Sequence, residues 1–233
     1  MSASSGWSSS TARHPSQHLS EYMVVTPADA GERISGQPTG SRTTFCLLRH
    51  GETDWNTQGR LQGREDIPIN DVGREQARLA AEYLTDPAWE LIASSPLRRA
   101  LETAEIISAI ASIPELVVVQ DLAERDFGAA SGLTSKERNS HFPSGTIPGW
   151  EEQDSVERRA IAALQQLAGR HPGQRIVVVS HGSLINAALA AATEGQVGTG
   201  KTRLANACLS VLHTDESAWE VEVLNSVDHL KSA

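Results

Sequence analysis

Four short runs of this chain are apolar without alternating: "TTFCLLRH" from Thr43, "ELIASSP" from Glu90, "LVVVQD" from Leu116 and "QRIVVVSH" from Gln174. A strand with one wet face alternates apolar and polar residues, so a run that does not alternate predicts a strand buried on both faces. Helical spacing fills the intervals. Asn70 is placed as an N-cap, and Ala77, Ala80, Ala81 and Leu84 follow at steps of three and four. A second helix is expected from Ser95, with Pro96 at its first position, through Leu97, Leu101, Ala104 and Ile107. "DSVE" reads as a capping box of Asp154 and Glu157 opening a third, which ends near Gly169; "GSLINAALAAA" makes a fourth. Beyond residue 205, "NACLSVLHTDESAWEVEVL" reads as two strands around a polar turn. Strands alternating with helices predict an α/β fold, a three-layer α/β/α sandwich. Its central sheet is mostly parallel, with an antiparallel edge near the C-terminus.

Composition narrows the picture. The chain has 233 residues, 39% of them hydrophobic, enough for one sizeable core. Residues 1–41 are rich in Ser, Pro and Gly, with neither a basic start nor an apolar stretch. They read as a flexible N-terminal extension before one domain, 42–233. No apolar run approaches the roughly 20 residues that span a bilayer. The protein is expected to be cytoplasmic. Its two cysteines, Cys46 and Cys208, sit in strand-like runs and read as buried thiols rather than a disulfide. A formal net charge of −9 argues against nucleic acid and anionic membrane as partners. It leaves room for a small anionic substrate in a local basic pocket.

One motif points elsewhere. "GQVGTGKT", residues 195–202, fits the phosphate-loop pattern letter for letter. A working phosphate loop follows a buried strand and opens a helix, so that its amides converge on phosphate. Here the order is helix, loop, strand. The segment therefore reads as a glycine-rich surface loop with an exposed Lys201, and a nucleotide hydrolase is the outside reading.

The stronger signal is convergence. Ligands of open parallel sheets bind beyond the C-terminal ends of the strands. The first strand ends at Arg49 and His50, and another at His181. "SSPLRRALETAE" supplies an arginine pair, and "LAERDFG" supplies Glu124 and Arg125. Two histidines, arginines and a carboxylate at one rim suit phosphoryl transfer through a histidine nucleophile. Guanidinium groups match the equatorial oxygens, and a carboxyl group protonates the leaving alkoxide. The other histidines, His14, His18, His141, His171, His213 and His229, read as surface or loop residues without metal-ligand spacing. No metal and no cofactor is expected.

"RHGETDWN", "SSPLRRALETAE", "LAERDFG", "VVSHG" and the closing "NACLSVL" and "LNSVDHL" together resemble the histidine phosphatase superfamily, the phosphoglycerate mutase-like proteins, from about residue 43 to 230. The resemblance implies His50 as the phosphorylated nucleophile, with Arg49, Arg99 and His181 on the phosphoryl oxygens and Glu124 as the acid. Arg99, not Arg98, matches the family arginine. Asn56, Gln62 and Gly63 match positions that line the phosphate or substrate pocket. Ser131-Gly132 and "PGWEE" depart from the family pattern, both in the segment that covers the substrate, and Trp150 reads there either as a substrate platform or as lid packing. The short stretch between Glu124 and His181 resembles the phosphatase branch rather than a phosphoglycerate mutase-type transferase, which carries a long insertion there. A binding module without catalysis is disfavoured because no motif residue is replaced. The expectation is a metal-independent phosphomonoesterase acting on a small phosphorylated metabolite. The resemblance also admits a homodimer, which nothing in the sequence itself requires.

Overall fold

The structure, a computed structural model, describes residues 42–85, 89–215 and 218–231. The expected extension 1–41 lies outside them. In chain order the elements are β1 (Thr43–Arg49), α1 (Asp54–Thr57), α2 (Asp71–Tyr83), β2 (Trp89–Ser94), α3 (Arg98–Ala111), β3 (Glu115–Val118), α4 (Ser135–His141), α5 (Gln153–Arg170), β4 (Arg175–Ser180), α6 (Gly182–Ala192), β5 (Leu209–Thr214) and β6 (Trp219–Ser226). The sheet runs β3-β2-β4-β1-β5-β6. Its first four strands are mutually parallel, while β5 is antiparallel to both β1 and β6. This is the expected mostly parallel sheet with an antiparallel edge.

The unbroken apolar runs follow from the two-sided burial. Phe45 and Leu47 of β1 join Leu91, Ile176 and Val178 in a core closed by Ala160, Leu164 and Leu167 of α5 and Leu184 and Leu189 of α6. The alternate residues Cys46 and Leu48 join Ile92, Val177 and Val179 under Ala80 and Ala81 of α2 and Ala104 and Ile107 of α3. Successive side chains of a strand point to opposite faces, so both registers must be apolar. The run at Leu116 is the exception. β3 is the outer strand, partly exposed along its length, with Val118 47% exposed. Both cysteines are buried free thiols, and burial pushes each up to about 12, which keeps them protonated.

Helix starts show where local rules were outbid. Asn70 caps α2 as expected, its Oδ1 accepting from Gly73 N–H at 2.9 Å. α3 begins at Arg98 rather than Ser95. The Arg98 N–H donates to Asp66 Oδ1 at 2.7 Å, so a loop 32 residues upstream supplies the anionic cap. α5 starts at Gln153 without the capping box: Asp154 lies inside the first turn, and Glu157 accepts from the Gln153 side chain. His229, read as a surface or loop residue, is instead buried against the Tyr83 ring, the centroids 5.7 Å apart.

Residues 195–202 form turns between α6 and β5, with Lys201 exposed and bonded to the Gly195 carbonyl. The strand–loop–helix order of a nucleotide site is absent there. Among the described residues no helix is long and apolar enough to cross a membrane, and no cluster of three or more His, Cys, Asp or Glu could hold a metal ion.

Candidate active site

The C-terminal ends of β1, β2 and β4 open onto one cavity of about 330 Å³, within the range of small-molecule sites. Its floor is His50, which follows β1 and is 2% exposed. The His50 Nδ1 lies 2.7 Å from the Gly51 carbonyl. A carbonyl only accepts, so Nδ1 carries the proton and Nε2 keeps its lone pair. Gly51 is required by close approach: a Cβ there would stand 2.4 Å from the Gly73 carbonyl in the first turn of α2. The His181 ring, after β4, is 5.2 Å from the His50 ring between centroids. Its Nε2 pairs with Ser95 Oγ at 2.7 Å. Ser95 thus serves the second histidine instead of capping a helix.

Burial, then the cations of Arg99 and Arg49, hold His50 well below the ordinary imidazole value of 6.5. The same burial and neighbours hold down His181. Both rings are therefore neutral near pH 7, the form a nucleophile needs. Arg99 is fully buried, its two terminal nitrogens donating to the carbonyls of Gly63 (2.8 Å) and Glu65 (2.7 Å). Burial pulls it down to about 10, which leaves it charged at neutral pH. Arg49 donates to the Leu204 carbonyl at 2.7 Å.

Glu124 follows β3 and sits on the N-terminus of α6. Its carboxylate accepts from the amides of Ser183 and Leu184, each at 3.2 Å, and from Arg125 N–H at 2.9 Å. It makes no ion pair with Arg99 or Arg125. Arg159 of α5 fixes this segment, donating to the carbonyls of Asp121, Ala123 and Glu124 while paired with Glu151 at 2.8 Å. Burial works against the Glu151 charge, but the Arg159 hydrogen bond and the Asp126 amide outweigh it and bring Glu151 down to about 2.

Of the three pocket positions expected from the sequence, two line the cavity. Asn56 commits its Oδ1 to Thr53 and Asn206, which leaves its amide hydrogens for a ligand. Gln62 also lines the cavity, its buried Oε1 without a partner. Gly63 does not. It stands one step behind, orienting Arg99 through its carbonyl, with φ +52° and Ser131 Oγ 3.0 Å from where a Cβ would be. Trp150 backs the cavity wall rather than forming it. It packs on Phe127 at 5.0 Å and beneath the Arg125 guanidinium at 4.8 Å, and Phe127 is the ring that faces in. Arg98 is exposed and outside the cavity.

Sequence reasoning missed Arg60, Asn186, Thr202 and Arg203 on the cavity wall, and Asn206, whose amide reaches the His50 carbonyl at 3.3 Å. Asn206 opens the quoted "NACLSVL" and could have been found there; Arg203 carried no signal beyond lying next to a dismissed motif.

What the site wants is visible in what it leaves unpaired. Buried polar atoms are normally satisfied, yet the donors Arg49 Nε and Arg99 Nε have no partner, while the unpaired amide oxygens of Gln62 and Asn186 can only accept from a ligand's own N–H or O–H groups. Four arginines and a single carboxylate line the cavity of a chain whose net charge is −9. This is a pocket for an anion.

The comparisons with known proteins agree. Residues 45–227 match the family model of the histidine phosphatase superfamily (branch 1). The chain is 39% identical over 188 residues to the Bacillus subtilis protein "Uncharacterized phosphatase PhoE", covering 81% of this chain and 97% of that one. It is 36% identical over 203 residues to the "Metal-independent phosphoserine phosphatase" of Arabidopsis thaliana, covering 82% and 84%. The solved structure of Bacillus stearothermophilus YhfR superposes with a TM-score of 0.75 at 28% identity, covering 81% of this chain and 99% of that one. The chain therefore belongs to the histidine phosphatase superfamily, branch 1, and is a phosphatase.

Proposed function

We propose that the protein hydrolyses a small phosphomonoester through a phosphohistidine on His50, without a metal ion. The observation that carries this reading is the neutral, lone-pair-bearing Nε2 of His50 on the floor of a cavity whose buried Arg49 and Arg99 each leave a guanidinium N–H unpaired. Phosphoryl oxygens would satisfy those donors and the amide of Asn56. In the first step the Nε2 lone pair forms an N–P bond as the P–O bond to the leaving group breaks, and the Glu124 carboxyl group gives its proton to the departing oxygen. In the second, water attacks phosphorus and passes a proton to the Glu124 carboxylate, and the N–P bond breaks to release inorganic phosphate. His181 lies against His50 to hold the transferring group, and Ser95 holds His181. The arginines provide charge stabilisation in a largely dry site, where it is worth most.

The phosphatase names of the relatives support hydrolysis over transfer to a second substrate, as does the exposed Arg203 at the cavity mouth, where solvent reaches the site. The activity of the Arabidopsis relative supports a metabolite the size of phosphoserine.

Purified protein should release phosphate from p-nitrophenyl phosphate in excess chelator. His50→Ala should cut that rate by roughly 10³-fold or more, since the neighbouring His181 has its Nε2 tied to Ser95. Undiminished turnover in the variant would overturn the reading.

A further inference from the structure

The glycine-rich segment 195–202, which matches a nucleotide pattern by its letters, delivers its last residue and the one after it to the wall of the catalytic cavity. Its backbone is held tightly. Gly198 has φ +93°, and a Cβ there would lie 2.2 Å from the Asn186 carbonyl of α6. Gln153 of α5 donates to Thr199 Oγ1 at 2.9 Å. The following residues are clamped one after another: Asn186 donates to the Thr202 carbonyl (3.0 Å), Asn225 to the Arg203 carbonyl (3.1 Å) and Arg49 to the Leu204 carbonyl (2.7 Å), while Ala205 N–H donates back to Asn225 (3.0 Å).

On this fixed stretch the Arg203 side chain is left over. It is exposed at the cavity mouth, and its guanidinium makes no hydrogen bond or ion pair with any described residue. The one carboxylate on the cavity wall, Glu124, is committed to three amides. Arg203 is also close enough to act on Arg49, whose guanidinium is held below its ordinary value first by burial and in part by this second cation. A cation pinned beside another cation, in a protein with an excess of carboxylates, is unfavourable until an anion arrives between them. Arg49 and Arg99 suffice for one phosphoryl group.

We infer that Arg203 binds a second acidic group, a carboxylate or a second phosphate, on the same small phosphomonoester whose phosphoryl group lies on His50. Residues 195–204 are thus a specificity loop of the phosphatase site, which rests on the reading of that site given above. The planar guanidinium suits either group, binding two oxygens at once.

Two matched pairs of substrates separate the sources. O-phosphoserine and O-phosphoethanolamine differ by one carboxylate; fructose 1,6-bisphosphate and fructose 6-phosphate differ by one phosphate. The wild type should favour the more acidic member of one pair in kcat/KM by roughly 10- to 100-fold, the range of a charge-assisted hydrogen-bonded pair. Arg203→Gln should bring that ratio close to one, mainly through KM, and Arg203→Lys should keep part of it. A wild type without preference in either pair, or a preference that survives Arg203→Gln, overturns the inference while leaving the phosphatase reading standing. A wild type that hydrolyses none of these compounds, nor p-nitrophenyl phosphate, contradicts the phosphatase reading and the inference with it.

Discussion

The floor and the mouth of this cavity are built on opposite principles. The floor is His50 and Arg99, with His181 packed behind His50 rather than lining the cavity. All three are all but fully buried, and each is delivered by the end of a parallel strand or the first turn of the helix after it. The mouth comprises loops that contribute Arg60 and Arg203, with more solvent around them. On the floor, burial sets the chemistry: it strips charge from the imidazoles and strengthens the field of the arginines. At the mouth, water screens the charges, so their use is recognition. One fold can thus keep a fixed reaction and vary its substrate by changing loops that the core does not depend on.

The comparison is broken most severely by touching the floor. Glu124→Gln keeps the shape and removes the exchangeable proton, losing one amide contact to α6, since its NH2 group cannot accept. It should lower kcat/KM, which reports the first step alone, by roughly 10² to 10⁴ for alkyl phosphates, and much less for p-nitrophenyl phosphate, whose leaving group needs no proton. Equal losses on both would remove Glu124 from the role of acid.

Acid should reveal the cost of the buried rings. An unfolded histidine titrates near 6.5 and these two titrate well below it. Between those values the unfolded chain binds more protons. Stability from this source is therefore complete above about pH 6.5 and falls as pH drops toward the lowered folded values. Melting temperature should decline between pH 7 and pH 5, and His181→Asn should flatten the decline. An unchanged slope in the variant would contradict the assignment.

The wall between the two regions gives a smaller effect. Trp150→Ala withdraws the support behind Phe127 and should cost roughly 1–3 kcal/mol in stability, less than a fully buried tryptophan. KM should rise a few-fold and kcat should stay within about twofold; a collapse of kcat would place Trp150 on the substrate instead. The smallest effect belongs to Lys201→Ala. That lysine bonds only the Gly195 carbonyl, and metal-free turnover should be unaltered, whereas a nucleotide hydrolase would lose its activity.

The same division explains what could be read from the letters. β1 and β4 announce themselves because two-sided burial forbids polar residues, and His50 and His181 stand directly at their ends. Arg99 could be told from Arg98 by the motif, yet the reason for its burial, the carbonyls of Gly63 and Glu65, lies more than thirty residues away. Long-range partners also misled the local rules. Asp66 caps α3 at Arg98 from 32 residues away, whereas the miss in α5 is local, Gln153 taking Glu157 from the expected capping box four residues on. β3 looked like a central strand because its composition is apolar, but an edge position is a property of sheet order, which no local window contains. Arg203 was hidden for the same reason: its backbone is placed by Asn186, Asn225 and Arg49, residues scattered over the whole domain.

The covalent step is the central claim, and it can be caught directly. Turnover quenched within milliseconds, followed by peptide mapping under alkaline conditions that preserve phosphoramidates, should find phosphate on the peptide carrying His50, attached at Nε2 and absent from His50→Ala. Active enzyme that never carries phosphate on that ring, or carries it on His181 instead, would contradict the account.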